Sequence, residues 1–174
     1  MTMQTDVLAA HLNQSGLAYV GRTRLRQITL AGNASQSGKI VFFDCVTAPV
    51  TNATYGRSGN TVTVSLNAHG LVAGQKIGIS YNSSGNVSAT DGNYIVDTAS
   101  ANSFTIVDPN SGTVTNAGTN CQYVIGNNRW LSTYETLTGS TATQQLLIPG
   151  EGILCYQGLY IYMLNMGFTT IHYG

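Results

Sequence analysis

Charge is what this sequence has least of. Seven lysines and arginines and seven aspartates and glutamates amount to 8% of 174 residues, with no net charge, where an ordinary soluble domain carries about 25%. A zero balance lacks the positive excess that bulk binding to nucleic acid or anionic lipid requires. Disorder is also disfavoured, since it goes with low hydrophobicity and high net charge, and hydrophobic residues here reach 43%. Cysteine is scarce. Cys45, Cys121 and Cys155 are odd in number, widely spaced and without a CxxC pair, which argues against a disulfide framework or a thiolate zinc site. They read as small buried apolar residues of a chain made in a reducing cytosol. Long apolar runs are missing too. The most apolar stretch, residues 154–164, is interrupted by Gln157 and Gly158 and falls short of the ~20 residues a spanning helix needs. No membrane span is expected. Residues 1–6 show no basic region leading into an apolar one, so no secretory leader is expected either.

Thr, Ser, Asn, Gln and 20 glycines stand where charge would be. A neutral, charge-poor surface tends to self-associate, so much of it is expected to be covered by other protein subunits. Residues 5–14 alone read as a helix. Thr5 or Asp6 would cap it, Val7, Leu8, His11 and Leu12 would share a face, and Ser15-Gly16 would end it. About ten residues make a marginal isolated helix, so segment 1–16 is expected to dock as a helix or arm, with Leu8 and Leu12 as contact residues. After Gly16 the hydrophobic period becomes two. Residues 17–31 read as one long or two joined strands, and residues 39–45 as their hairpin partner across a Gly/Asn-rich loop. Residues 143–148, 152–156, 159–164 and 168–173 are rich in Val, Ile, Thr, Tyr and Phe, a strand composition.

The middle has another texture. From about residue 48 to 127, Asn, Ser, Thr and Gly dominate, and short strands are expected at 61–66, 75–81, 93–97, 103–108 and 121–125, with flexible stretches at 47–59 and 112–120. Strands at this spacing without helices build a small sandwich or barrel. The expected class is all-β. Residues 17–48 and 127–174 form a β-sandwich or jelly-roll-like base, and residues 49–126 an inserted β module. One continuous sandwich of about ten strands is the alternative.

Two stretches resemble known proteins. An Ala68-His69-Gly70-Leu71 turn, Gly74 before a strand, then Gly92-Asn93-Tyr94-Ile95-Val96 and Ser103-Phe104-Thr105-Ile106-Val107 resemble a small β module common in phage virion proteins. That module is sometimes likened to a domain of ubiquitin-activating enzymes. The likeness implies a fold and no activity, since no ATP-binding or thiol-transfer motif accompanies it. In the flanks, residues 21–30 and 38–44, the Ile148-Pro149-Gly150-Glu151-Gly152-Ile153 turn and the Tyr173-Gly174 ending resemble small structural proteins of tailed bacteriophages. That resemblance implies a virion structural protein, expected to be a capsid decoration or cement protein. It would be made in the host cytoplasm and bind the major capsid protein as a homo-oligomer, with a trimer the expected state. A tail or head–tail connector component and a carbohydrate-binding host-recognition module are the alternatives.

Few residues offer chemistry. His69 is the first candidate base, with Asp91 or Asp97 as a partner, but it reads better as a turn histidine bonding the backbone. His11 and His172 lie at opposite ends of the chain, so no metal-ligand spacing is formed. Asp91-Gly92-Asn93 and Asp108 to Gly112 are similar to calcium loops yet lack the distal glutamate, and Asp, Asn and Gly are turn chemistry. No enzyme, cofactor or metal is expected. Arg22, Arg24 and Arg26 alternate and are expected to share one strand face, suited to carboxylates on a partner or to Asp44 or Glu151 within the chain. Tyr160 and Tyr162 are expected to share a face opposite Leu159, Ile161 and Met163, as a buried or subunit-contacting strand. Sugar stacking is the weaker reading there, since tryptophan, the usual platform, occurs only at Trp130.

Overall fold

The structure, a computed structural model, describes residues 7–33, 36–82, 88–115, 120–136 and 142–174. Its regular elements are all strands. The first four are β1 (Leu8–Leu12), β2 (Gly16–Val20), β3 (Thr23–Gly32) and β4 (Lys39–Asp44). The middle holds β5 (Val50–Ser65), β6 (Lys76–Tyr81), β7 (Gly92–Ile95), β8 (Thr98–Ala99), β9 (Ser103–Val114) and β10 (Asn120–Ile125). The chain closes with β11 (Arg129–Glu135), β12 (Thr143–Leu147), β13 (Ile153–Cys155), β14 (Gly158–Leu164) and β15 (Met166–Tyr173). They fall into two compact units, Met1–Ala48 with Leu131–Gly174, and Pro49–Trp130. The second ends at Trp130, against residue 126 in the sequence reading.

The base unit is a two-sheet sandwich. One sheet runs β1-β15-β3-β12, with β13 also on β3, and the other runs β11-β4-β14-β2. Leu25, Ile28 and Leu30 of β3 and Ile171 of β15 meet Ile40 and Phe42 of β4 and Leu159 and Ile161 of β14, all fully buried. Each such side chain contributes about 1.5–3 kcal/mol of burial. Strands change sheets at tight corners, as in sandwiches whose strands switch layers. The corner between β2 and β3 is Gly21, at φ 106°; the one between β14 and β15 is Asn165, at φ 53°.

Three expectations fail here. Residues 8–12 form strand β1, paired with β15 from Leu8↔Tyr173 to Leu12↔Thr169, and not a helix. A lone ten-residue helix gains too little, whereas the β15 edge supplies a backbone ladder and lets Ala10 and Leu12 pack on the core. The candidate caps Thr5 and Asp6 lie outside the described residues. Second, β3 and β4 do not form a hairpin. They lie in different sheets, because each carries apolar side chains for the same core. Third, residues 50–59 are not a flexible stretch but the first part of β5.

In the inserted unit, one antiparallel sheet runs β7-β6-β10-β5-β9-β8. β5 pairs β10 near its start, Asn120↔Thr54, and β9 from Arg57↔Val114 to Ser65↔Ser103. β7 pairs β6 while β8 pairs β9, and both belong to one stretch bent at Val96-Asp97. Val96 N–H donates to the Gln75 carbonyl (2.9 Å) and Asp97 N–H to the Thr105 carbonyl (2.8 Å). That stretch therefore joins the two ends of the sheet, which rolls around Tyr55, Val62, Val64, Ile77, Ile79, Tyr81, Phe104, Ile106 and Tyr123. The inward residues alternate along β6 and β5, the period expected of a half-buried strand.

Candidate functional site

The three arginines do not form one row. Arg22 is exposed in the turn after Gly21, off the strand. Arg24 stands on β3 and reaches Glu151, Nη2 to Oε2 at 3.1 Å. Arg26 occupies a bulge, where the β15 register slips between His172↔Gln27 and Tyr173↔Leu25. A bulge inserts one unpaired residue and reverses the alternation after it, which is why the core residues run Leu25, Ile28, Leu30. The three-residue step from Leu25 to Ile28 is the sequence signal for it. Among the described residues, neither Arg22 nor Arg26 has an ion-pair partner. Asp44, the other suggested partner, is engaged elsewhere.

Leu8 is half-exposed at the β1 end and Leu12 is partly buried against the base core. Tyr160 and Tyr162 stand on β14 opposite Phe43 and Val41 of β4, on the face away from Leu159 and Ile161. Both tyrosines are half-buried, and Phe43 and Val41 are fully buried. Burial, then the nearby Cys45 thiol, holds the Tyr160 hydroxyl above the ordinary tyrosine range. These rings belong to an apolar sheet face rather than to an open stacking platform.

Most of the polar groups that looked chemical are engaged in structure. The Asp44 carboxylate accepts the N–H groups of Tyr156, Gln157 and Gly158, the closest at 2.7 Å, and so holds the corner between β13 and β14. In the inserted unit, the register between β5 and β9 slips from Gly59↔Gly112 to Thr61↔Val107, and the extra residues turn Asp108 inward. Its carboxylate meets Arg57 Nη2 at 3.3 Å, with side-chain exposures of 2% and 0%. It also accepts from Thr90 Oγ1 at 3.0 Å and from the Asn110 N–H at 2.7 Å. Arg57 donates further to the Ser88 and Gly59 carbonyls. Asp91 accepts the Tyr81 N–H and the Ser80 hydroxyl, each at 2.8 Å. His69 Nδ1 accepts the Leu71 N–H at 3.0 Å, and its ring stands edge-on to Phe104. Nδ1 therefore carries no proton, and Nε2 is the protonated nitrogen of the neutral ring. Among the described residues no three His, Cys, Asp or Glu side chains gather as a metal site would require. Burial pushes the Cys45 and Cys121 thiols up to about 12, Asp44 adding to the effect at Cys45.

Two surface features remain, and neither was singled out from sequence. The first is a corner of the base unit. Val20 pairs with Gly158, and a side chain at Gly158 would meet Val46. Val20, Val46 and Tyr156 are 65%, 43% and 55% exposed around it. The adjoining β2 is an edge strand, paired only with β14 among the described residues, and Gly-Leu-Ala-Tyr-Val carries no charge or proline. Edges are ordinarily guarded by such residues. The second is a cleft of about 450 Å³ in the inserted unit, at the β6 start, along β7 and under the turn after β10. Lys76, Arg129, Asn93, Asn127, Tyr94 and Ile95 line it. Residues far apart in the chain make both features, so no local motif announces them. The chain matches no described protein family, and no similar curated protein or solved structure was found.

Proposed function

We propose that this chain is a structural subunit of a tailed-phage virion that acts by attachment rather than by chemistry, and that it decorates the capsid. The observation that carries the reading is the exposed apolar corner of Val20, Val46 and Tyr156 beside the uncharged edge strand β2. Single exposed apolar residues are ordinary on any surface; three exposed around Gly158 beside an unguarded edge support a protein contact there. The motif resemblance in the flanks supports the virion setting. The partner is the major capsid protein, and the subunit adds contact area across joints of the lattice, which stabilises the assembled state by mass action. A symmetric homo-oligomer, a trimer in this reading, fits attachment to a symmetric lattice. A tail or connector position differs in copy number.

Co-sedimentation with undecorated capsids of the encoding phage tests this. Val20→Lys with Tyr156→Ser puts charge on the edge and removes the ring, and is expected to weaken capsid binding at least about tenfold with an unchanged melting temperature. Undiminished binding by this variant would remove the corner from the interface.

A further inference from the structure

We infer that the cleft in the inserted unit is a binding site for a carboxylate-bearing saccharide. Its volume, about 450 Å³, lies in the range of roughly 300–1,000 Å³ typical of small-ligand sites. Its walls are tied together by hydrogen bonds. Gly126 N–H donates to the Lys76 carbonyl at 3.0 Å, and Lys76 pairs with Ile95 across the strands. The Asn93 side-chain amide donates to the Trp130 carbonyl and accepts the Trp130 N–H, each at 2.9 Å. Arg129, which precedes that clamped residue, also lines the cleft. Tyr94 is tethered through its hydroxyl to the Thr90 carbonyl at 2.6 Å, so its ring is fixed in place.

Two cations, Lys76 and Arg129, line the cleft, and among the described residues no carboxylate does. In a chain with seven basic residues this pairing selects an anion. Lys76 has no ion-pair partner and the Asn127 amide no hydrogen bond among the described residues. An ammonium group is a point-charge partner for a carboxylate, and an asparagine amide presents one donor group and one acceptor side by side, the spacing of neighbouring sugar hydroxyls. Ile95, on the same strand face as Lys76 and 60% exposed, supplies an apolar contact for the C–H face of a pyranose ring, while the Tyr94 ring packs inward on the unit's core. A bare inorganic anion would use only the two cations, and a neutral sugar only the Asn127 amide and the apolar contact. The combination fits an acidic sugar residue.

Binding is read by testing the full chain against an oligosaccharide panel, with galacturonate, glucuronate and sialate termini set beside their neutral counterparts. Titration calorimetry then follows on the members retained. Binding to at least one acidic member, with its neutral counterpart at least about tenfold weaker, is expected. Lys76→Glu is expected to abolish it, Lys76→Arg to retain it, and Asn127→Ala to weaken it severalfold. Lys76 is exposed at the strand start, and an unchanged melting temperature checks its variants; Asn127→Ala carries the test if Lys76→Glu does not fold. Retention of no acidic member, equal binding of neutral ones, or binding that survives both Lys76→Glu and Asn127→Ala would each overturn the inference. Capsid attachment through the β2 corner is read separately, so either proposal can fail alone.

Discussion

Replacing Asp108 with asparagine removes the counter-charge of a guanidinium that has almost no access to solvent. Arg57 and Asp108 are 2% and 0% exposed, so neither charge left alone can be rescued by water. Breaking such a pair from one side costs about 3–5 kcal/mol, because an uncompensated buried charge remains. Asparagine also loses the full acceptor strength that Asp108 offers to Thr90 and Asn110, where hydrogen bonds to charged groups are worth about 1.5–3 kcal/mol each. Against a total stability of about 5–15 kcal/mol for a domain, the loss is large enough to move a urea midpoint far. The assay has a built-in reporter, since the only tryptophan in the chain, Trp130, belongs to the inserted unit and is fastened to Asn93. Its fluorescence follows that unit while the base contributes no tryptophan signal. Arg57→Met alone should also destabilise, by leaving Asp108 unpaired. Arg57→Met with Asp108→Asn should cost less than the sum of the single changes by at least about 2 kcal/mol, the signature of a coupled pair. A loss below about 1 kcal/mol for Asp108→Asn, or strict additivity in the double variant, would refute the claim that this pair organises the unit.

Three further outcomes follow from the same geometry. Asp44→Asn should destabilise the base by about 2–3 kcal/mol in urea unfolding followed by near-ultraviolet dichroism, since three N–H groups lose an anionic acceptor; an unchanged midpoint would contradict it. Gly78→Ala should cost about 1–3 kcal/mol or prevent soluble expression, because the added methyl would fall on the backbone nitrogen of Trp130, which cannot step aside; a wild-type melting temperature would show that this contact yields. Alkaline pH should unfold the chain. Cys45 and Cys121 are raised from 9.0, and Tyr94 and Tyr123 from 10.0, to about 12, burial being the first cause in each. Between pH 9 and 12 the unfolded chain therefore releases protons that the folded chain keeps, and stability must fall as pH rises through that window. A flat urea midpoint from pH 8.5 to 11 would be incompatible with these buried groups.

The all-β class was legible because alternation and β-branched composition persist through most of the chain, and the four closing strands appear close to where the pattern puts them. What was not legible depended on long-range partners. Leu8 to Leu12 fits a helix face and a strand equally well, and only the β15 edge, some 160 residues away, decides between them. Arg26 reads as the third member of a row until the bulge that keeps Ile28 and Leu30 in the core displaces it. Residues 50–59 look like linker because Asn, Thr and Gly favour turns locally, yet β9 and β10 complete their backbone hydrogen bonds. Residues 108–112 read as turn chemistry, yet they lie within β9; that a slip in register there would turn the Asp108 carboxylate toward Arg57 could not be read from spacing. The apolar corner and the cation-lined cleft had no motif at all, since each is assembled from segments far apart in the chain.

The central claim, attachment in quantity to a virion lattice, is tested most directly by counting. Particles purified from the encoding phage and analysed by quantitative mass spectrometry should contain this chain at a copy number comparable with that of the major capsid protein or a simple lattice fraction of it. A count of only a few copies per particle would contradict capsid decoration and favour the tail or connector position, and absence from the particle would contradict the virion role itself.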